Sequence, residues 1–225
     1  SPRPDSQRGI DVSLAPVTEN PELYGPAGRL ETILDLPRND APRAVTVVCH
    51  PHPQHGGTMH NKVAHTLARS FARLGFAALR FNFRGTEGSE GAWDEGRGEV
   101  EDALAAAAWL RTSYPDVPVW ISGFSFGAAM AIKAAQREPF AGLVSVAPAV
   151  SRFHADPAPQ PDCPWLILQG DEDELVAADE TIAWVNSLEP GPELVVLPGV
   201  EHFFHGRLVD LRELVTAFVT QHTGA

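Results

Sequence analysis

Residues 123–127 read Gly-Phe-Ser-Phe-Gly, a serine with a glycine two positions to either side. The apolar stretch VPVWIS (117–122) runs straight into this pentapeptide, and the small-residue run FGAAMAIKAAQR (126–137) follows it. A serine on so tight a strand-to-helix turn has strained backbone geometry, and its neighbours press on adjoining strands, so glycine is needed where a Cβ would collide. The hydroxyl of Ser125 would then stand at the C-terminal edge of a sheet, beside the free N–H groups of a helix start, where negative charge is favoured. This is the placement of a nucleophile for acyl transfer. A serine hydroxyl attacks poorly until a base takes its proton. The base is expected to be a histidine in a loop after a later strand, oriented by a carboxylate after another.

Both follow in that order. PWLILQ (164–169) leads into GDEDELV, with Asp171 and Asp173, and ELVVL (193–197) leads into PGVEHFFHG, with His202 and His205. Asp173 is the better orienting carboxylate: it lies four residues past the strand end, and Val176 follows at a spacing that anchors the loop. Asp171 directly follows Gly170 and suits a cap or solvent contact. His202 sits at a loop tip ahead of Phe203 and Phe204, whereas His205 nearly joins the last helix.

The run CHPHPQHGGTMH (49–60) holds His50, His52, His55 and His60. A zinc site needs about three or four ligands converging tetrahedrally. Here His50 and His52 alternate on a stretch stiffened by Pro51 and Pro53, so their rings point to opposite sides, and no cysteine or carboxylate stands at metal-ligand spacing. No metal is expected, and His55, His60 and His65 read as loop and helix-surface residues. The loop offers backbone instead. Acyl transfer builds negative charge on a carbonyl oxygen, which wants two N–H donors. One is expected from Phe126, the residue after the nucleophile, and one from this early loop. Proline has no N–H, which leaves His52 as the donor between Pro51 and Pro53. Trp93, Phe124, Phe153 and Phe203 are candidates to line an acyl pocket, each equally suited to plain packing. Arg84 and Ser89 in FRGTEGSEG border the same sheet edge, where a structural turn with an Arg–acid pair is the simpler role.

The elements that must position these residues alternate along the chain. AVTVVC (44–49), FAALRF (76–81), VPVWIS, AGLVSVA (141–147), PWLILQ and ELVVL read as buried strands. Between and after them lie helices: one carrying Val63, Leu67, Phe71 and Leu74, one over GRGEVEDALAAAAWLRTSYP ending before Pro115, one over 126–137, one over 177–188 and one over 207–222. GRLETILDLP reads as an outer strand, and residues 1–28 as a loose N-terminal arm ahead of a single domain over 29–225. Buried strands alternating with helices predict an α/β fold, a doubly wound and mostly parallel sheet flanked by helices. The connection 148–163 carries four prolines and is too short for a large cap, so an open, shallow site for short acyl chains is expected.

The composition agrees. Apolar residues make up 44% of 225, enough for a core. The formal net charge of −12 disfavours nucleic acid and anionic membranes, both of which want basic patches. No apolar run approaches the ~20 residues of a membrane span. The N-terminal stretch lacks the apolar core of a signal peptide, so a cytoplasmic protein is expected, with processing before Ser1 left open. Cys49 and Cys163 each adjoin apolar runs and read as small buried hydrophobes rather than a disulfide.

HPHPQHGGTMHNKV, LRFNFRGTEGSEG, GFSFGAAMA, GDEDELV and EHFFHGRL together resemble the small cap-less bacterial α/β-hydrolases related to dienelactone hydrolase and simple carboxylesterases, over about residues 29–222. By that resemblance Ser125, Asp173 and His202 would form a catalytic triad, with the His52 and Phe126 amides as the oxyanion hole. Serine stands where dienelactone hydrolase has cysteine, which favours a serine esterase over a lactone-specific enzyme. The expectation is a carboxylesterase-like hydrolase acting on a small-molecule ester or thioester through an acyl-enzyme, needing neither metal nor organic cofactor. A peptidase or acyltransferase on the same triad, or a binding protein that has lost turnover, are the alternatives.

Overall fold

The computed structural model describes residues 16–38, 41–153 and 159–224. In chain order the elements are β1 (Val17–Glu19), β2 (Leu23–Gly25), β3 (Gly28–Leu30), β4 (Thr32–Leu36), β5 (Ala44–Cys49), α1 (Lys62–Arg73), β6 (Phe76–Phe81), α2 (Arg97–Ser113), β7 (Val119–Phe124) and α3 (Phe126–Arg137), followed by β8 (Gly142–Val146), α4 (Val150–Phe153), β9 (Trp165–Gly170), α5 (Ala178–Asn186), β10 (Glu193–Leu197) and α6 (Leu208–Thr223). Eight strands form one sheet in the order β1-β4-β6-β5-β7-β8-β9-β10. The six strands from β6 to β10 in that order run parallel, while β4 and β1 are antiparallel additions at one edge. This is the doubly wound architecture expected from the alternating pattern.

The central strands β5, β6, β7 and β8 bury every residue, which explains their largely apolar and β-branched runs. One face of the sheet lies under α1 and α6, with Leu67, Phe71, Trp120 and Phe218 in its core. The other lies under α2, α3 and α5, with Leu110, Ile132 and Val185. Helix α1 shows why such a segment forms: Val63, Leu67 and Phe71 make one buried stripe. The Asn61 side chain caps it, accepting from the N–H groups of Val63 and Ala64 at 2.9 and 3.1 Å.

The parallel register decides where the site lies. Cys49 pairs across from both Phe81 and Gly123, Phe124 from Val146, and Gly170 from Leu197. The loops after β5, β7, β9 and β10 therefore leave one edge of the sheet together. The chain runs from β5 to β6 on one side and then returns to β7 on the other, so the loops after β5 and β7 flank the point where strand order reverses. Crevices for ligands form there in doubly wound sheets.

The N-terminal region departs from the sequence reading. Residues 28–37 do not form one outer strand but break at Glu31, because Glu31 is tied to the loop after β6. Its N–H donates to Ser89 Oγ at 2.9 Å, and its carboxylate accepts from Asn82 Nδ2 and the Gly88 N–H at 2.9 and 2.8 Å. Of the expected loose arm, residues 17–19 and 23–25 are strands: β1 pairs with Leu34–Leu36, and β2 pairs with β3. Residues 1–15 lie outside the described residues. Among the described residues no helix is long and apolar enough to cross a membrane.

Candidate active site

Ser125 occupies the corner between β7 and α3 with φ 57° and ψ −116°, a conformation non-glycine residues rarely adopt. Backbone bonds clamp the corner from both sides. The Ser125 N–H donates to the Val146 carbonyl at 2.9 Å, and its own carbonyl accepts from the N–H groups of Ala129 and Ala149, each at 3.2 Å. Such a residue carries strain of about 1–3 kcal/mol that its surroundings must over-determine. The flanking glycines are required by close approach. A Cβ on Gly127 would lie 2.2 Å from the Cys49 carbonyl oxygen and 2.4 Å from that of His50, and one on Gly123 would lie 2.5 Å from the Gly127 backbone. The corner is thus pressed directly onto the end of β5.

The three residues chosen from sequence converge. His202 Nε2 lies 3.0 Å from Ser125 Oγ, and His202 Nδ1 lies 2.7 Å from Asp173 Oδ2. The histidine and aspartate side chains are almost fully buried, and Ser125 is 9% exposed. A carboxylate can only accept, so Nδ1 carries the proton and Nε2 presents a lone pair to the serine hydroxyl. Asp173 is itself held: its Oδ1 accepts from the N–H groups of Leu175 and Val176 at 2.8 and 2.7 Å. The fully buried Gln169 closes the same loop, donating from Nε2 to the carbonyls of Gly170 and Val176, both at 3.0 Å, while its Oε1 accepts from Thr181 Oγ1 at 2.9 Å. Asp171 is exposed and accepts from the Gly199 N–H at 2.7 Å, and His205 is exposed beside Glu201. Glu201 accepts from the N–H groups of Phe203, at 3.0 Å, and His205, and so shapes the turn that presents His202.

The histidines of the early loop divide their tasks. His50 is fully buried; its Nδ1 donates to the Pro51 carbonyl at 2.6 Å, and its Nε2 accepts from the Phe83 N–H at 3.0 Å. The Pro51 carbonyl belongs to the same trans peptide unit as the His52 N–H, so His50 fixes that plane and turns the His52 N–H away from the core. His52 stacks on His55 with ring centres 4.1 Å apart, and its Nδ1 accepts from the Gln54 N–H at 3.1 Å. Burial, with His55 and Arg152 nearby, lowers the His52 pKa to about 4, so this ring is neutral. Among the described residues no three His, Cys, Asp or Glu side chains come together as a metal site would need.

Burial also lowers the His50 pKa to about 4 from an ordinary 6.5. The unfolded chain takes up this proton as pH falls through 6.5, whereas the folded chain resists until about 4. Stability is therefore full above pH 6.5 and declines toward pH 4, by about 3 kcal/mol from this group. Urea unfolding at pH 7 and pH 4 is expected to show a smaller acid loss for His50→Asn than for the wild type. Equal losses in the two proteins would assign the acid sensitivity elsewhere.

Ser125 opens into a cleft of about 160 Å³ lined by His52, Phe126, Phe153, His202 and Phe203, with Arg152 and Leu175 also on its walls. Two of the four aromatic candidates, Phe153 and Phe203, line it; Trp93 and Phe124 do not. As the last residue of β7, Phe124 turns its ring into the core under α1 and α6, where it supports the His202 ring at 4.9 Å. Trp93 packs behind His52, Phe126 and Phe153 at 4.8, 5.2 and 6.3 Å, as a second layer. Sequence reasoning missed His55, Arg152 and Leu175 as lining residues. Arg152 lies on the short α4, which no periodicity announces. The Leu175 N–H bonds Asp173, which places its side chain at the lip. Arg84 and Ser89 are structural: the Arg84 guanidinium grips the buried Asp102 (Nη2–Oδ1 2.8 Å), and Ser89 Oγ donates to the Asn82 carbonyl at 2.6 Å. Both cysteines are free thiols; burial raises the pKa of each, that of Cys163 to about 11.

Known proteins share this arrangement of elements. The family model for serine aminopeptidase, S33, matches residues 40–160. The structure of an α/β serine hydrolase homologue from Coxiella burnetii is 44% identical, with a TM-score of 0.83 over 88% of this chain and 96% of that one. That of a serine hydrolase without lid from Xanthomonas campestris is 39% identical, with a TM-score of 0.86 over 91% of this chain and 94% of that one. An uncharacterised protein of Rickettsia prowazekii is 35% identical over 213 residues, 88% of either chain. With the family model spanning more than half its length, the chain belongs to the serine aminopeptidase S33 family and is a member of the α/β serine hydrolase superfamily.

Proposed function

We propose that the chain hydrolyses carboxylic esters of short acyl chains, or the corresponding thioesters, through an acyl-enzyme on Ser125. The observation that carries this reading is the unbroken hydrogen-bonded line Ser125 Oγ–His202–Asp173, at 3.0 and 2.7 Å, opening into the cleft. His202 Nε2 takes the hydroxyl proton as Oγ attacks the ester carbonyl. Asp173 holds the imidazole in the accepting tautomer and stabilises the imidazolium that forms. The N–H groups of His52 and Phe126 receive the developing oxyanion. The imidazolium then gives its proton to the leaving alcohol, and water, deprotonated by the same nitrogen, releases the acid. No step draws on a metal or organic cofactor.

The family's name raises a second reading, cleavage of an N-terminal residue from a peptide. An aminopeptidase must hold a free α-ammonium group beside the scissile bond, and a carboxylate at the cleft would serve that. Among the described residues lining the cleft none is Asp or Glu, while Arg152 brings positive charge. The lining therefore favours an ester over a peptide with a free amino terminus.

Mixing the enzyme with p-nitrophenyl acetate is expected to give a nitrophenolate burst followed by steady turnover, and a fluorophosphonate probe is expected to label the folded protein at Ser125. Neither burst nor turnover in correctly folded protein, or labelling on another residue, would remove this function.

A further inference from the structure

A second cavity, of about 160 Å³, lies beside the cleft at Ser125. Its walls come from the start of α1, the loop after β10 and the first residue of α6: Val63, Phe204 and Leu208 are apolar, and Lys62 and His205 stand at its solvent side. Asn61 and Phe203 line both spaces, so they form the partition between them. Asn61 is committed to capping α1. Phe203 is half-buried and stands edge-on to the His202 ring, with centres 4.9 Å apart and planes at 90°.

Direction follows from the chemistry. The nitrogen that deprotonates Ser125 must later protonate the leaving oxygen, so the alcohol half of an ester lies on the imidazole side of Oγ. The acyl half is left the space toward Phe126 and Phe153. Beyond Phe203, on the imidazole side, the second cavity continues the line of the alcohol. We propose that this cavity is a leaving-group subsite that takes an extended apolar alcohol, with Phe203 as the wall such an alcohol passes. The proposal rests on the ester hydrolase reading above. It adds a substrate class: esters selected by a multi-carbon alcohol as well as by a short acyl group. Leu208 and Val63 hold the alkyl chain, and the open side at Lys62 lets its end reach water.

Two ester series test it. One fixes the acyl group and runs from methyl to hexyl acetate; the other fixes the alcohol and runs from methyl acetate to methyl hexanoate. Leu208→Trp fills the cavity from its far wall, and Leu208→Phe is the milder filler should tryptophan disturb folding. The ratio of kcat/KM for hexyl over methyl acetate is expected to fall about tenfold on filling, because several methylenes lose their pocket. The hexanoate-to-acetate ratio is expected to stay within about twofold. Phe203→Ala is expected to raise the relative rate with branched alcohols. If filling moves the acyl ratio in place of the alcohol ratio, or moves neither, the subsite assignment is overturned. Wild-type enzyme that turns over methyl acetate in a Ser125-dependent way, with an unmoved alcohol ratio, loses only the subsite; wild-type enzyme inert to every ester loses the hydrolase reading as well.

Discussion

Ser125→Ala is expected to lower kcat for p-nitrophenyl acetate by about 10⁵-fold, or about 7 kcal/mol of transition-state stabilisation. Two losses coincide in this one change. The covalent route disappears, because among the described residues lining the cleft Ser125 carries the one hydroxyl and there is no thiol; both cysteines lie elsewhere, buried or half-buried, with raised pKa values. His202 Nε2 also loses its partner at 3.0 Å, so the base has no serine hydroxyl to activate. The cleft and the backbone donors remain, and a residue of catalysis over water is expected from them. The fold should survive. Alanine meets the same φ of 57° as serine, and the bonds that hold the corner run through backbone to Val146, Ala129 and Ala149. Steady-state kinetics beside circular dichroism separate the cases; a folded variant within tenfold of wild type would show that another residue attacks.

Asp173→Asn is expected to lower kcat by about 10³- to 10⁴-fold with little change in structure. The reason lies in what already surrounds the carboxylate. The N–H groups of Leu175 and Val176 both donate to Oδ1, so the amide of an asparagine must place its oxygen there. Its NH₂ then faces His202 Nδ1. A donor at that position forces Nδ1 to accept, and the ring proton moves to Nε2, where it points at Ser125 Oγ. The histidine becomes a donor to the hydroxyl it should deprotonate. Asp171→Asn is the internal comparison. That carboxylate accepts from the Gly199 N–H in an exposed turn, and an amide oxygen can do the same, so activity should stay within a few-fold. Comparable losses in the two variants would mean that the carboxylate's role had been assigned to the wrong residue.

The choice between Asp171 and Asp173 was legible before any coordinates because loop length is geometric. A residue directly after a turn glycine stays at the strand end, while one two positions further reaches the histidine. The same logic picked His202 over His205. Gly123 and Gly127 were legible for a related reason: the strand–serine–helix corner leaves no room for a Cβ, and the contacts at 2.2 to 2.5 Å show how little there is. Residues 28–37 misled because their alternation fits a strand throughout. The break at Glu31 comes from partners at Asn82, Gly88 and Ser89, some fifty to sixty positions away.

The order of residues dictates the alternation of buried strands with helices, and with it a parallel sheet whose loops leave one edge together. It also sets which serine, aspartate and histidine follow which strands. Local pattern encodes these features, because periodicity and glycine placement act over a few residues. Which aromatic rings reach the cleft depends on the packed molecule, since Trp93 and Phe153 are both aromatic and differ in layer. The packed molecule alone gives His50 its hold on the Pro51–His52 peptide through Pro51 and Phe83. It alone sets Phe203 as a wall between two cavities. Packing between segments distant in sequence fixes these features, and no window of neighbouring residues records it.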